Sequence, residues 1–149
     1  MATERTLVLC KPDAVQRGLV GAIVQRFERK GLQLVGMKMM RVDEELASRH
    51  YAEHLEKAFY PNLRDFVTSS PIVAMAIEGE NAVDVVRALV GATNPQAAAA
   101  GTIRGDFGLD LTMNLVHGSD SRASAEREVA LFFAPEELHD YELTMRAWT

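Results

Sequence analysis

Thr6-Leu7-Val8-Leu9-Cys10 is the segment from which the rest of the fold can be built outward. Its residues are apolar or β-branched, and Lys11-Pro12-Asp13 ends the run after only five positions. A short, continuously apolar run that stops at a proline is typical of a strand buried inside a sheet. The segment therefore predicts a buried central strand.

The segments that follow alternate between helical and extended patterns. Apolar residues recur at helical spacing from 19 to 27, and Gly31 stands where a helix C-cap is expected. A second apolar strand, rich in methionine, covers 34–41. Asp43 is a suitable N-cap for a helix that runs to about Leu55. This half of the chain predicts the order strand, helix, strand, helix.

The second half continues the alternation. Residues 63–68 are compatible with a short helix, and 72–77 with a third strand after Pro71. The next helix follows Asn81 and stops at Gly91. A last strand then covers 114–117, and a final helix follows it.

The final helix turns Ala125, Val129 and Phe132 inward. The complete order of elements favours an α+β fold, a ferredoxin-like βαββαβ sandwich in which helices pack on one face of a four-stranded antiparallel sheet. No internal repeat or Ser/Gly-rich linker interrupts the 149 residues, so we expect a single domain over 1–149. The glycine-containing segment 92–108 lacks clear periodicity, which is often a sign of a functional loop.

The composition excludes several classes of protein. Hydrophobic residues make up 48% of the chain and charged residues 25%, which excludes a disordered or collagen-like chain. The net charge of −5 argues against a nucleic-acid or membrane-surface partner. No segment has the roughly 20 apolar residues of a membrane span or the core of a signal peptide. Cys10 is the sole cysteine, which suits a reducing compartment, and we expect a cytoplasmic protein.

The stretch His50-Tyr51-Ala52-Glu53-His54 matches H-x-x-E-H, a zinc-protease motif. On a helix, His50 and His54 would share one face and offer two nitrogens to a metal. No third ligand accompanies them in the sequence, and five-residue patterns arise by chance. We interpret the stretch as a partly solvated helix face and predict no protein-bound metal.

His117 is a more specific candidate, because it ends an apolar strand just before the turn Gly118-Ser119-Asp120. Glu128 falls at the edge of the core-facing stripe of the next helix, where an unpaired carboxylate is costly. If that helix packs back on the sheet, Glu128 can bind one ring nitrogen of His117 and leave the other free as a nucleophile. The alternative is a purely structural polar contact between the two residues.

The cations suggest what the nucleophile attacks. The sequence contains neither a phosphate loop nor a dinucleotide fingerprint. Lys11, Arg87 and Arg104 nevertheless fall in segments that can surround His117, where they can hold a polyphosphate with Mg²⁺ bridging its oxygens. The sequence offers four further groups with which to bind such a ligand: Tyr51, Thr93, Asn114 and the aromatic ring of Phe59.

The stretch Asn114-Leu115-Val116-His117-Gly118-Ser119-Asp120-Ser121 resembles the N-x-x-H-G-S-D-S signature of the nucleoside diphosphate kinase family. Further segments resemble the family in the same order along nearly the whole chain: Lys11-Pro12-Asp13, Val15-Gln16-Arg17-Gly18, Arg26-Phe27-Glu28, Thr93-Asn94-Pro95, 101–107 and Pro135-Glu136-Glu137-Leu138. The chain departs from the usual pattern at Ala92 and over 96–100, neither of which is a catalytic position of the family.

The resemblance implies a Mg²⁺-dependent, ping-pong transfer of the γ-phosphate from a nucleoside triphosphate to a nucleoside diphosphate. The phosphoryl group would be carried as a phosphohistidine at His117, with Glu128, Ser119 and Lys11 as further catalytic residues. By the same resemblance, broad base specificity is expected, with Phe59 stacking on the base and Leu111 covering its other face. The residues that would bind the nucleotide are Lys11, Tyr51, Phe59, Arg87, Thr93, Arg104, Leu111 and Asn114.

The resemblance also implies that Mg²⁺ is held mainly by the nucleotide phosphates. It implies a homo-oligomer built from dimers, and a hexamer is expected rather than a tetramer. Two other functions remain as alternatives. One is a catalytically silent nucleotide-binding or regulatory module of the same fold, and the other is a ferredoxin-like RNA-binding module. The silent module should lack His117 or its cations, and the RNA-binding module needs a basic face with paired aromatics.

Overall fold

Four strands form the sheet in the computed structural model, which describes residues 3–149. They are β1 (Thr3–Cys10), β2 (Gln33–Met40), β3 (Ile72–Glu80) and β4 (Val116–Gly118). The spatial order is β2-β3-β1-β4, and every neighbouring pair is antiparallel. In this order β3 lies between β1 and β2, and β1 lies between β3 and β4, so the two strands of each strand–helix–strand unit are not neighbours. The predicted four-stranded antiparallel, ferredoxin-like sheet is confirmed.

The helices lie between and after these strands. They are α1 (Pro12–Gln16), α2 (Val20–Lys30), α3 (Glu44–His50), α4 (Tyr60–Val67), α5 (Ala82–Val90), α6 (Ile103–Phe107) and α7 (Arg122–Phe132). Short 3₁₀ turns cover Ala52–His54, Pro135–Glu137 and Thr144–Trp148. The longest helices have 11 residues, so no helix within 3–149 is long and apolar enough to cross a bilayer.

Local signals explain several helix ends. The side chain of Asp43 accepts a hydrogen bond from the backbone N–H of Leu46, as expected of an N-cap. Gly31 ends α2 in the left-handed conformation, with φ 102°. The helix after Asp43 is shorter than predicted, because it ends at His50 and the backbone of Tyr51 leaves the helical region. His50 and His54 therefore do not share the face of one helix.

The two faces of β1 are covered by different helices. Val8 and Cys10 pack into a core with residues of α2 and α5. Leu7 and Leu9 point to the opposite face, where they pack with residues of α3, α4 and α7. The expectation that helices cover one face is thus wrong, because a strand that is apolar at every position must be covered on both sides.

The pairing of β1 with β4 positions the polar residues that follow the two strands. Leu9 lies opposite His117, and Cys10 lies opposite Val116. Lys11, which follows β1, donates its backbone N–H to the carbonyl of Leu115 at 2.8 Å. The end of β1 and the start of β4 therefore bring Lys11 and His117 to the same part of the molecule.

Candidate active site

A cavity of about 600 Å³ opens beside His117. All the site residues predicted from the sequence line it except Ser119. Those lining residues are Lys11, Tyr51, Phe59, Arg87, Thr93, Arg104, Leu111, Asn114, His117 and Glu128. They come from α5, α6, β4, α7 and the connecting loops, so the fold gathers them from most of the chain.

His117 and Glu128 form a short polar contact at this cavity. Nε2 of His117 lies 2.7 Å from Oε1 of Glu128, and the Oγ–H of Ser119 donates to the same carboxylate oxygen, also at 2.7 Å. An ionised carboxylate only accepts hydrogen bonds, so the arrangement places the ring proton of His117 on Nε2. Nδ1 is then left with its lone pair, as a nucleophile requires.

The Glu128 carboxylate is buried, with 5% of the residue exposed. Burial acts to raise its pKa, but the hydrogen bond and charge of His117 and the hydrogen bond of Ser119 outweigh burial and hold the pKa below its usual value. Glu128 is therefore ionised at neutral pH and able to keep the imidazole in one tautomer.

Ser119 is fully buried beneath this pair and faces Glu128 rather than the cavity. Its backbone N–H donates to the carbonyl of Leu7, and the backbone N–H of Leu7 donates to its Oγ at 3.4 Å. These contacts attach the serine to β1. The structure thus places Ser119 behind the carboxylate, where its hydroxyl orients Glu128.

Four cations line the cavity. Arg127 pairs with Glu128 at 3.6 Å, whereas Lys11, Arg87 and Arg104 form no ion pair with a carboxylate within the described part of the chain. Lys11 and Arg104 are buried, whereas Arg87 is exposed. Burial and then the charge of Arg104 lower the pKa of Lys11 to about 8, although Asp13 opposes them. Burial and then Arg87 lower the pKa of Arg104 to about 10. A bound anion would relieve this clustering of like charges.

Asn114 connects two of the predicted binding residues. Nζ of Lys11 donates to Oδ1 of Asn114 at 2.8 Å, and Nδ2 of Asn114 donates to the carbonyl of Thr93 at 3.0 Å. The amide thereby holds the ammonium in place through its oxygen and fixes the loop of Thr93 through its nitrogen. Lys11 retains further N–H donors for a ligand.

Arg104 braces the segment that leads into β4. Its guanidinium donates to the carbonyls of Asn114, Val116 and Gly91, at 3.2, 2.6 and 3.2 Å. Asp13 also holds this segment, by accepting from the backbone N–H of Leu115. No local pattern in the sequence marks Asp13 as a site residue, because its hydrogen bond to Leu115 joins positions that are far apart in the chain.

His50 lies directly against His117, with 4.6 Å between ring centroids and an angle of 80° between the rings. Burial, followed by the charge of His117, lowers the pKa of His50 to about 3, so its imidazole is neutral at physiological pH. Neither of its ring nitrogens has a hydrogen-bond partner among residues 3–149. The H-x-x-E-H motif from His50 to His54 contains this residue, but nothing in the motif indicates its contact with His117.

Phe59 and Leu111 are exposed apolar side chains of the cavity lining, with exposed fractions of 51% and 59%. Tyr51 is instead buried, and its hydroxyl has no hydrogen-bond partner within the described chain. Burial and then the charge of Glu128 raise the pKa of Tyr51, so the hydroxyl keeps its proton. The cavity therefore combines exposed apolar surface, clustered cations and a histidine with a free ring nitrogen.

The sequence matches the family model of nucleoside diphosphate kinase over residues 4–138. A curated nucleoside diphosphate kinase from Archaeoglobus fulgidus is 59% identical to this chain over 145 residues, which is 97% of this chain and 96% of the relative. One from Pyrococcus horikoshii is also 59% identical, over 142 residues covering 93% of this chain and 90% of the relative.

Solved structures of nucleoside diphosphate kinases are also similar to this chain. A halophilic nucleoside diphosphate kinase from Halobacterium salinarum, in complex with CDP, matches with a TM-score of 0.97 and 56% identity, and the match covers 99% of this chain and 98% of that one. A nucleoside diphosphate kinase family protein from Babesia bovis matches with a TM-score of 0.94 and 46% identity, over 97% and 98% of the two chains.

Proposed function

The chain belongs to the nucleoside diphosphate kinase family, and we propose that Nδ1 of His117 carries the phosphoryl group between nucleotides. In the first half-reaction the Nδ1 lone pair attacks the γ-phosphorus of a nucleoside triphosphate. A nitrogen–phosphorus bond forms, and the bond from phosphorus to the β–γ bridging oxygen breaks, releasing the diphosphate. In the second half-reaction a β-phosphate oxygen of the acceptor attacks phosphorus, and the nitrogen–phosphorus electron pair returns to Nδ1.

The observation that carries this proposal is the 2.7 Å contact between Nε2 of His117 and Oε1 of Glu128. When Nδ1 bonds to phosphorus, positive charge develops on the imidazole ring. A buried carboxylate against Nε2 stabilises that charge in both half-reactions, and Ser119 keeps the carboxylate oriented. Ser119 therefore acts through Glu128, as a positioning residue.

The cations supply the electrostatic part of the mechanism. Lys11, Arg87 and Arg104 line the same cavity as His117 without carboxylate partners in the described chain. We assign them to the phosphate oxygens, where charge accumulates during transfer. Asn114 contacts both Lys11 and Thr93. The side chains of Asn114 and Thr93 can donate to the phosphates or the ribose, together with the hydroxyl of Tyr51.

Phe59 and Leu111 are assigned to the base. Both are exposed apolar groups of the cavity lining, which suits a base held between an aromatic and an aliphatic side chain. Stacking depends on the flat face that every base has, so it provides affinity with little discrimination between bases. The CDP in the Halobacterium salinarum complex is consistent with a site of this kind.

The divalent ion needed for phosphoryl transfer is proposed to be Mg²⁺, entering with the nucleotide. Mg²⁺ prefers six oxygen ligands and commonly takes several of them from phosphates and water. The carboxylates of the cavity lining are Glu128, which His117 and Ser119 already engage, and the exposed Glu53 and Asp120. This donor set fits an ion held mainly by the nucleotide phosphates, whose charge it would neutralise when bound.

We also propose a domain extent, an oligomeric state and a cellular compartment for this chain. Both cores are built on one sheet, which supports a single kinase domain over 1–149. The exposed apolar side chains of Met37, Met39 and Met113 support burial in subunit contacts, and we propose a hexamer built from dimers. The buried free thiol of Cys10 supports a reducing compartment such as the cytoplasm.

A labelling experiment tests the phosphohistidine. The protein is incubated with Mg²⁺ and γ-labelled ATP without acceptor, and the bound label is tested for acid lability and then chased with GDP. We expect an acid-labile label that passes to GTP, and no label in His117→Ala. His139→Ala is the matched control, because His139 is exposed and lies outside the cavity lining.

The alternative is a catalytically silent nucleotide-binding module of the same fold. Folded protein that binds ATP but takes up no label would favour that module and overturn the proposal. Label that persists in His117→Ala would also overturn it, because the phosphoryl group would then be carried elsewhere.

A further inference from the structure

His117 belongs to a second arrangement of ligating atoms besides its pair with Glu128. One ligand atom each from His50, His117 and Glu128 lie within 4.8 Å of one another. The three residues come from α3, β4 and α7, so the arrangement exists only in the folded protein. We propose that these residues form a binding site for a borderline transition-metal dication, with Zn²⁺ as the representative ion.

The state of His50 is the independent observation that points to a ligand. The residue is 5% exposed, and neither Nδ1 nor Nε2 has a hydrogen-bond partner among residues 3–149. It also lines the cavity, so an ion entering from the cavity can reach one of its buried nitrogens once the ring tilts. A buried imidazole without partners loses its hydration and gains nothing in return, and coordination of one nitrogen would compensate for that loss.

The ligand types select the class of ion. Two imidazoles and one carboxylate are a ligand set that Zn²⁺ accepts, with a fourth position open to water or substrate. Mg²⁺ prefers oxygen ligands in octahedral geometry, so it is a poor occupant of this trio. The proposed site is therefore separate in chemistry from the magnesium that enters on the nucleotide phosphates.

The spacing requires only small movements of side chains. Zinc–nitrogen bonds of about 2.0–2.1 Å place tetrahedral ligand atoms roughly 3.3 Å apart. His117 and Glu128 are already closer than that, at 2.7 Å, and would separate slightly while His50 approaches. The ring of His50 packs at 5.1 Å from Phe132 and 4.5 Å from Tyr51, so its movement is limited to a small tilt.

Some charges around the trio favour binding of a dication, and others oppose it. Glu128 supplies a negative charge as a direct ligand, and a metal bound there would replace its hydrogen bond with His117. The cations of the cavity oppose a dication, and Nη2 of Arg127 is the nearest of them, 3.6 Å from Oε2 of Glu128. Lys11 and Arg104 donate to Asn114 and to backbone carbonyls rather than to the trio. Direct ligation at about 2 Å should outweigh repulsion from these more distant groups.

Occupation of the trio would block the phosphoryl carrier. Coordination at Nε2 of His117 needs the lone pair of that nitrogen, so the ring proton would move to Nδ1 and occupy the lone pair that attacks phosphorus. This consequence rests on the proposed function, whereas binding of the ion does not. Zn²⁺ binding and phosphorylation of His117 should therefore exclude each other, which would make the ion a reversible inhibitor.

Binding is measured first, without any nucleotide. The full-length protein is titrated with Zn²⁺ by calorimetry, and with Co²⁺ by the visible absorption that tetrahedral coordination gives. We expect one ion per chain, and an affinity at least about tenfold weaker in both His50→Ala and His50→Gln. The glutamine variant keeps a polar side chain of intermediate size if the alanine variant does not fold.

His54→Ala is the matched control, because His54 lines the same cavity and has a buried Nδ1 without a partner in the described chain, but lies outside the trio. We expect this variant to retain wild-type affinity for Zn²⁺. Absence of stoichiometric binding by the wild-type protein would overturn the site. Loss of binding in His54→Ala with binding retained in the His50 variants would also overturn it.

A second measurement addresses inhibition separately. Protein labelled at His117 beforehand should bind no Zn²⁺, and Zn²⁺ added first should prevent labelling by ATP. If Zn²⁺ binds through His50 but the protein is never labelled, the metal site stands and the proposed phosphohistidine fails. If labelling proceeds normally in the presence of bound Zn²⁺, mutual exclusion is wrong.

Discussion

The carboxylate of Asp13 accepts a hydrogen bond from the backbone N–H of Leu115 at 3.0 Å, although the two residues are 102 positions apart in the chain. Leu115 has φ 75°, in the left-handed region that non-glycine residues rarely adopt. Its neighbours in sequence include Asn114, which holds Lys11, and β4, which carries His117. Asp13 therefore helps to hold a strained backbone that positions both Lys11 and His117.

We expect Asp13→Ala to destabilise the protein and to weaken nucleotide binding. The substitution leaves the buried N–H of Leu115 without its acceptor, at a cost of about 1–3 kcal/mol in the free energy of unfolding. Relaxation of Leu115 would displace Asn114 and raise KM. Denaturant unfolding and steady-state kinetics measure the two effects. Asp13→Asn retains an acceptor oxygen and should fall between the wild type and Asp13→Ala; equal losses in both variants would contradict this explanation.

The lowered pKa of Lys11 predicts a pH dependence of stability in the nucleotide-free protein. Its pKa is about 8 in the folded state against 10.5 for the ordinary side chain, because of burial first and Arg104 second. Between these two values the unfolded chain binds more protons than the folded protein, so the contribution of Lys11 to stability rises with pH. Urea unfolding across pH 8 to 10.5 should show that the stability of the wild type rises relative to that of Lys11→Gln, and a constant difference between the two proteins would contradict this assignment.

The same group predicts proton uptake on nucleotide binding. Phosphates beside Lys11 favour its charged form, so binding near pH 8 should take up protons and weaken as the pH increases further. The nucleotide phosphates are already ionised at this pH and contribute little. Calorimetry of ADP binding in buffers of different ionisation enthalpy measures the uptake. Identical uptake in Lys11→Gln would assign the proton to another group.

Phe59 should contribute to the affinity for nucleotides without discriminating between their bases. Removal of a stacking aromatic costs about 1–3 kcal/mol per base, roughly 5- to 150-fold in affinity. We expect Phe59→Ala to weaken ADP, GDP and CDP by similar factors within this range. Ribose 5-diphosphate lacks a base and serves as the control, since its affinity should not change. A loss of affinity for this ligand as well would indicate that the substitution disturbs the cavity rather than stacking.

Glu128→Gln should slow phosphorylation of His117 while leaving nucleotide affinity nearly unchanged. The amide oxygen can still accept from Nε2, but the negative charge that stabilises the developing imidazolium is lost. Charge-assisted hydrogen bonds exceed neutral ones by about 1 kcal/mol, so we expect a rate reduction of at least about fivefold.

Single-turnover labelling measures this effect, with Glu126→Gln as the control because Glu126 is exposed on the same helix. An unchanged labelling rate in Glu128→Gln would show that the contact with His117 has no electrostatic role.

The order of the strands and of the longer helices followed from local patterns in the sequence, whereas the short helices α1 and α6 were not predicted. The apolar run at 6–10, Gly31 after its helix and the N-cap at Asp43 are each set by residues close to one another in the chain, and each element is present. The motif that carries His117 also led to the nucleoside diphosphate kinase family, which the comparisons confirm. The length of the helix that ends at His50 was overestimated, because no local pattern separates the helix from the 3₁₀ turn that follows it.

The sequence by itself thus determined the strands, the longer helices, the family and the candidate residues, because helix caps, apolar periodicity and motif spacing act over a few positions. Tertiary structure alone decided that helices cover both faces of the sheet, that Ser119 lies behind Glu128, and that Asp13 holds Leu115. It also decided that His50 packs against His117. Such contacts join side chains from separate elements, and their distances depend on how those elements pack rather than on any local pattern.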